Sequence, residues 1–200
     1  MEMHMRNDSA FSLSQGLICA LKYRDENTQL HSERVAGLAI DIGKQCDLSS
    51  SELDILMIAA NLHDIGKIGI ADNILLKPGR FIQSEWEEMK SHSEKGQVII
   101  DNLSFSGQNI VGKVVRHHHE NFDGTGYPDN LVGEEIPMLS RIISIVDNYD
   151  ALSEKRAYCG VKGHDEVINI MINEAKMKFD PEIFQIFLKN IETNSLKQGF

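Results

Sequence analysis

Hydrophobic periodicity constrains this chain most. Apolar residues recur at helical spacing almost from end to end, and no segment alternates apolar and polar residues as a half-buried strand does. No Asn-Gly pair marks a hairpin. Helices are predicted at about 10–24, 28–46, 50–65, 83–103, 107–118, 138–153, 163–177 and 181–192, after a polar, frayed and disordered tail over 1–9. Ser49 and Glu52, ahead of Leu53, Ile55, Leu56 and Ile58, read as a capping box opening a buried helix. Gly66 and Gly69 end that helix, and Asp72 to Arg80, with Pro78-Gly79, makes a connector. The one long non-helical stretch, about 120–137, holds Gly124, Gly126, Pro128, Gly133 and Pro137 and is long enough to suggest function. With no internal repeat or linker, residues 10–200 read as a single all-α domain, a helical bundle with one long Gly/Pro-containing loop.

Composition narrows the partners. Lys and Arg number 20 against 30 Asp and Glu, a formal net charge of −10, which excludes a broad phosphate-binding track for duplex nucleic acid. The acidic excess is local: residues 117–154 carry one basic residue, Arg141, against eight acidic ones. Three scattered cysteines, Cys19, Cys46 and Cys159, form neither a disulfide framework nor a cysteine zinc site. No apolar run approaches a membrane span, which needs about 18 residues, and no leader opens the chain. A reduced cytoplasmic setting is the expectation.

Eight histidines in such a chain call for a role. His31, the doublet His63-Asp64, His92, the doublet His118-His119 and Asp147 fall at or near the ends of predicted helices. Their spacings (31→63, 63→92, 92→118, 119→147) are 32, 29, 26 and 28 residues. Each is about one helix plus a connection, as when successive helices point a ligand at one centre. Imidazole and carboxylate donors without thiolate suit iron, manganese or zinc better than calcium. Neighbouring residues on a helix point about 100° apart, so His63 and Asp64 serve one ion only at a helix end, or with Asp64 bridging two. His4 and His164 read as surface residues without partners, and Asp41, Asp54 and Asp150 as solvated or capping. Three consecutive side chains cannot all converge on one centre, so a direct role for His117 is the weaker alternative.

His63-Asp64-Ile65-Gly66-Lys67 resembles the signature of the HD superfamily of metal-dependent phosphohydrolases. His118-His119-Glu120-Asn121-Phe122-Asp123-Gly124-Thr125-Gly126-Tyr127-Pro128 is similar to the hallmark of its HD-GYP branch. His31 to Ala36, Leu76-Lys77-Pro78-Gly79, Arg141 to Asp147, Asp150-Ala151-Leu152 and Phe179-Asp180-Pro181 extend the resemblance over about 25–188. It implies an all-α domain holding two, sometimes three, iron or manganese ions, with zinc or nickel able to stand in on purification. The implied reaction is hydrolysis of a cyclic dinucleotide, cyclic di-GMP foremost and 3′,3′-cyclic GMP-AMP as the alternative, to the linear 5′-phosphorylated dinucleotide and onward to mononucleotide, in the bacterial cytoplasm. One metal would take His31, His63, Asp64 and Asp147, and the second Asp64, His92, His118 and His119. Lys67 would meet the scissile phosphate, while Tyr127 and Arg156 contact the nucleotide and the loop with Gly126 and Pro128 lines the cleft. The same loop can dock diguanylate cyclase domains.

Residue chemistry agrees: in-line attack on a phosphodiester wants an activated water and a clamp on the phosphoryl oxygens, which two ions about 3.5–4 Å apart supply. The phosphate role is the favoured one for Lys67, with a helix C-terminal residue stabilised by the macrodipole as the structural alternative, and Gly124, Gly126 and Pro128 could be turn chemistry alone. Asn27 stands where some members carry a Glu that binds a third metal, so a dinuclear site is expected. Cys159 replaces a basic residue after the Arg-x-Tyr element, and Ala157 and Lys176 replace the usual Pro and Gly. No receiver or other sensory domain is present, so the chain is either a stand-alone enzyme or a fragment. Two other classes compete: a non-catalytic nucleotide sensor or docking module, which would lose the doublets, and an HD phosphohydrolase of another nucleotide, which would need only the mononuclear set.

Overall fold

The computed structural model describes residues 13–21, 23, 26–157 and 164–193, with backbone alone at 26–27, 155–157 and 193. Among the described residues ten helices follow in order: α1 (13–21), α2 (Glu26–Gln45), α3 (Ser50–Leu62), α4 (Asp72–Leu75), α5 (Gln83–Lys90), α6 (His92–Asp101), α7 (Gln108–Arg116), α8 (Met138–Ala157), α9 (His164–Lys178) and α10 (Pro181–Thr193). Short 3-10 turns lie at Ile65–Gly69 and Gly133–Glu135. Among the described residues there is no strand, only one isolated antiparallel bridge from Asp123 to Val132. The fold is all-α, and no described helix is long and apolar enough to cross a membrane.

Helix α2 buries Val35, Leu38, Ala39 and Ile42, the i, i+3, i+4, i+7 stripe of an amphipathic helix. Helix α8 does the same with Leu139, Ile142, Ile143 and Val146. These two helices and α3, which contributes Leu56, Ala59 and Leu62, enclose the core, with Phe187 of α10 wholly buried beside them. His31 lies one turn before Val35 on the α2 stripe, and Asp147 and Asp150 continue that of α8. The core stripes therefore run straight into the polar site.

Three predicted elements differ in detail. The capping box forms as expected, Ser49 N donating to Glu52 Oε2 at 2.8 Å, but α3 stops at Leu62 and not 65. The cause is the close approach of the following turn to α6: a β-carbon on Gly66 would lie 1.8 Å from the His92 carbonyl oxygen. The helix predicted over 83–103 breaks at Ser91. There the Ser91 hydroxyl donates to the Glu88 carbonyl (2.5 Å), His92 Nδ1 to Met89 (2.7 Å) and the Ser93 hydroxyl to Lys90 (3.2 Å). Side chains take three successive carbonyls, and such back-bonding bends a helix. The predicted connector over 72–80 begins with the single turn of α4. The predicted tail over 1–9 lies outside the described residues.

Candidate functional site

All three ligand candidates at helix ends or breaks use one local device. His63, His92 and His118 each donate Nδ1–H to the carbonyl three residues back (Ala60, Met89, Val115), at 2.7, 2.7 and 2.6 Å. Those carbonyls are the acceptors a helix end leaves without partners. The bonds fix the tautomer and turn each Nε2 lone pair outward, toward one place. Asp64 follows with φ −95° and ψ 4°, the bridge conformation that breaks the helix and lets neighbouring residues serve one centre.

On one side of Asp64 stand His31, His63 and Asp147. His31 Nε2 is 3.0 Å from Asp147 Oδ1 and 3.2 Å from His63 Nε2, and His63 Nε2 is 3.5 Å from Asp64 Oδ2. On the other side stand His92, His118 and His119. His92 Nε2 is 3.5 Å from Asp64 Oδ1 and 3.4 Å from His118 Nε2, and the His118 and His119 rings are centred 4.0 Å apart. Asp64 thus offers one oxygen to each cluster. Donors held about 2.0–2.2 Å from an ion stand roughly 3–3.5 Å apart, which these separations match. Imidazole nitrogens and carboxylate oxygens at these separations, in two groups that share Asp64, have the donor chemistry and spacing to hold two metal ions.

Burial and charge act in opposition here. Burial alone would raise the Asp64 carboxyl; the Lys67 ammonium and the imidazoles of His63, His92 and His31 overcome it and hold Asp64 well below the usual range. Asp147 is likewise held low against its burial, His31 being its hydrogen-bond partner. Burial pushes His31 down, yet the carboxylates of Asp147 and Asp150 outweigh it and raise its pKa to about 10. His92, His118 and His119 are depressed by burial, His119 to about 3, which keeps them neutral. Burial raises the Tyr127 phenol, with Asp64 and Asp147 adding to it.

Above the clusters opens a cleft of about 430 Å³, within the range of small-molecule sites. Lys67 and Tyr127 line it, and Lys67 Nζ lies 2.6 Å from Asp64 Oδ2. Gly126 and Pro128 do not line it; they shape the loop. A β-carbon on Gly126 would meet Asn121 N at 2.2 Å, so only glycine lets the loop fold back and set Tyr127 against His119, ring centres 4.9 Å apart. The Tyr127–Pro128 peptide is cis. The side chain of Arg156, like Tyr158 and Cys159, lies outside the described residues, as do His4 and the side chains of Asn27 and Ala157.

Two sequence expectations are corrected. Asp150 is neither solvated nor capping: at 4% exposure it accepts from His31 Nδ1 (2.7 Å) and from Arg34 Nε and Nη2 (both 2.7 Å). It is the outer partner that orients a ligand imidazole. The missed signal was its place on the buried stripe of α8, three residues after Asp147. His164 has a partner, its Nδ1 lying 3.0 Å from the Tyr149 hydroxyl. His117 points away from the clusters, its Nε2 2.9 Å from Asp129 Oδ2, where Arg116 also forks onto the carboxylate at 2.6 and 2.7 Å. Asp54 is exposed, and Asp41 lies 3.8 Å from Lys44 on the surface.

A family profile described as "HD domain" matches residues 17–183. The chain belongs to the HD domain family. Its His118–Pro128 segment resembles the hallmark of the HD-GYP branch of that family. It is 36% identical over 170 residues to the cyclic di-GMP phosphodiesterase response regulator RpfG of Xanthomonas campestris pv. campestris, covering 85% of this chain and 45% of the relative. It is 32% identical to 3′3′-cGAMP-specific phosphodiesterase 2 of Vibrio cholerae, covering 92% of this chain and 35% of the relative. The chain thus spans less than half the length of either. A solved cyclic GMP-AMP specific phosphodiesterase of V. cholerae superposes with a TM-score of 0.68 at 18% identity, over 96% of this chain and 50% of that one. That likeness supports the HD fold.

Proposed function

We propose that this HD domain is a metal-dependent phosphodiesterase that opens a bacterial cyclic dinucleotide, cyclic di-GMP foremost, to its linear 5′-phosphorylated form. The observation that carries the reading is Asp64, with one oxygen toward each histidine cluster at the floor of a cleft. His31, His63, Asp64 and Asp147 would hold one divalent ion, and Asp64, His92, His118 and His119 the other. Iron or manganese suits these donors, and the pair would supply charge neutralisation at the phosphate and water made acidic enough to attack at neutral pH.

The chain's own residues do the rest. Nδ1 bonds to backbone carbonyls keep His63, His92 and His118 aimed before substrate arrives, so their rings need no reorientation at the moment of reaction. Lys67, a quarter exposed against Asp64, is placed to share its charge with a phosphoryl oxygen entering the cleft. Tyr127, kept protonated by burial, offers a hydroxyl donor from the cleft wall. Arg156 is assigned to the nucleotide by resemblance. The loop's outer face, with Asp129 and Asn130 exposed, would serve docking to cyclase domains. The cytoplasm is the proposed compartment, in keeping with free Cys19 and Cys46.

The V. cholerae relative named for cGAMP keeps 3′,3′-cyclic GMP-AMP as a second substrate reading. Anaerobically purified protein, loaded with manganese or iron, should be incubated with both cyclic dinucleotides and the products identified. Linear dinucleotide from cyclic di-GMP is expected, and Asp64→Ala should abolish it. Intact substrate with loaded wild-type protein, or undiminished turnover by Asp64→Ala, would refute the two-metal reading.

A further inference from the structure

The clusters, Lys67 and Tyr127 account for the phosphate end of the cleft, but the aromatic wall continues outward beyond them to rings with no part in that chemistry. From His119 a series of rings runs outward. Tyr127 lies 4.9 Å from His119, Trp86 6.3 Å from Tyr127 at 81°, and Phe81 6.4 Å from Trp86 at 21°. Phe81 and Trp86 both line the cleft. They are offset and nearly parallel, so their faces turn the same way.

This shelf leaves apolar area in water: Trp86 is 42% exposed. Covering the exposed part of such a ring is favourable, so the shelf offers a flat apolar face to an occupant of the cleft. The shelf is also held in place. Glu85 Oε2 accepts from Lys77 Nζ at 2.5 Å and from Ile82 N at 2.9 Å, tying the connector before α5 to its first turn. Lys77 belongs to the Leu76-Lys77-Pro78-Gly79 stretch, to which the metal chemistry assigns nothing. Its ion pair fixes the segment that carries Phe81.

We propose that Phe81 and Trp86 form a nucleobase subsite, stacking one base of the dinucleotide while its phosphate lies against the histidine–carboxylate clusters. This rests on the cyclic-dinucleotide reading above. Stacking on an aromatic face adds affinity and tolerates any base, because every base has a π-face. The subsite therefore sets affinity and does not separate guanine from adenine.

Trp86 is the only tryptophan of the chain, so its fluorescence reports the subsite directly. The metal-loaded wild-type enzyme should be mixed rapidly with cyclic di-GMP, with cyclic GMP-AMP and with inorganic phosphate, and the emission read before turnover. Both dinucleotides should quench the emission, and phosphate should not. In the metal-loaded enzyme, Trp86→Leu should raise KM about tenfold for both dinucleotides with a much smaller change in kcat. Phe81→Leu should act in the same direction, and Trp86→Phe should restore most of the affinity. Absence of quenching in an enzyme that turns over the dinucleotide, or an unchanged KM in Trp86→Leu, would overturn the subsite. Quenching without turnover would leave the subsite standing and refute the proposed activity instead.

Discussion

Two residues outside the donor set hold the site in register. Asp150 ties His31 to Arg34 through three contacts of 2.7 Å each. Outer partners of this kind contribute about 10–100-fold to metal affinity. Asp150→Asn is therefore expected to weaken metal binding by that factor, read by titrating the metal-free protein; unchanged affinity would mean that His31 is oriented without it. Gly66 is the second. A β-carbon there meets two backbone atoms, His92 O at 1.8 Å and Gly96 N at 2.6 Å, and no rotamer change relieves a clash with backbone. Gly66→Ala should push the turn after α3 away from α6 at the upper end of the roughly 1–3 kcal/mol that overpacking costs. Bound metal should fall because His92 parts from Asp64; full metal content with an unshifted melting temperature would contradict this. The seven donor candidates were legible because one ligand per helix leaves a regular spacing. Asp150 was not, since a carboxylate on an apolar stripe reads as solvated until its Arg34 partner, 116 residues away, is in view. Trp86 escaped for a similar reason, its role resting on neighbours from another helix and loop.

At the scale of elements, helix starts were easier to read than helix stops. Ser49 and Glu52 announce α3 because both partners are local, and the Glu52 carboxyl is lowered by the Ser49 hydroxyl and N–H. A carboxyl depressed in the folded chain stabilises it above the unfolded pKa, about 4.3 for Glu, and that contribution is lost as pH falls through the folded value. Glu52→Ala should melt earlier than wild type at pH 7, and the two should converge as pH falls below the lowered carboxyl pKa. A gap persisting in acid would assign the effect to something other than the carboxylate. The stops of α3 and α5 were not legible, being set by tertiary packing of Gly66 on α6 and by three side chains competing for the carbonyls around Ser91. The loop over 120–137 was visible as glycine and proline, but its anchorage was not. Phe122 and Asp123 N–H groups donate to the Lys178 and Met177 carbonyls at 3.0 Å, far along the chain.

For the whole molecule, charge and stability meet at the metal site. The net charge of −10 describes the outer surface and excludes a nucleic-acid track, yet a small phosphodiester meets only the cleft. Two divalent ions would add +4 there, giving −6 for the loaded chain. Without metal, the core stripes of α2, α3 and α8 end in buried carboxylates and facing imidazoles that desolvate one another. Their donors come from α2, the end of α3, α6, the end of α7 and α8, so ions bound between them cross-link most of the bundle. A ligand that binds only the folded state stabilises it by about 2.7 kcal/mol at a hundredfold excess over Kd. At about 2–4 °C per kcal/mol for a chain of this length, one such site should raise the melting temperature by roughly 5–11 °C. Thermal unfolding followed by circular dichroism, with chelator and with increasing manganese, measures this. The midpoint should climb with metal concentration and fall back when chelator is added, whereas Asp64→Ala should show a much smaller rise. A midpoint indifferent to both metal and chelator would mean that the buried clusters are satisfied by protons and Lys67 alone, and that the bundle does not depend on ions to hold its helices together.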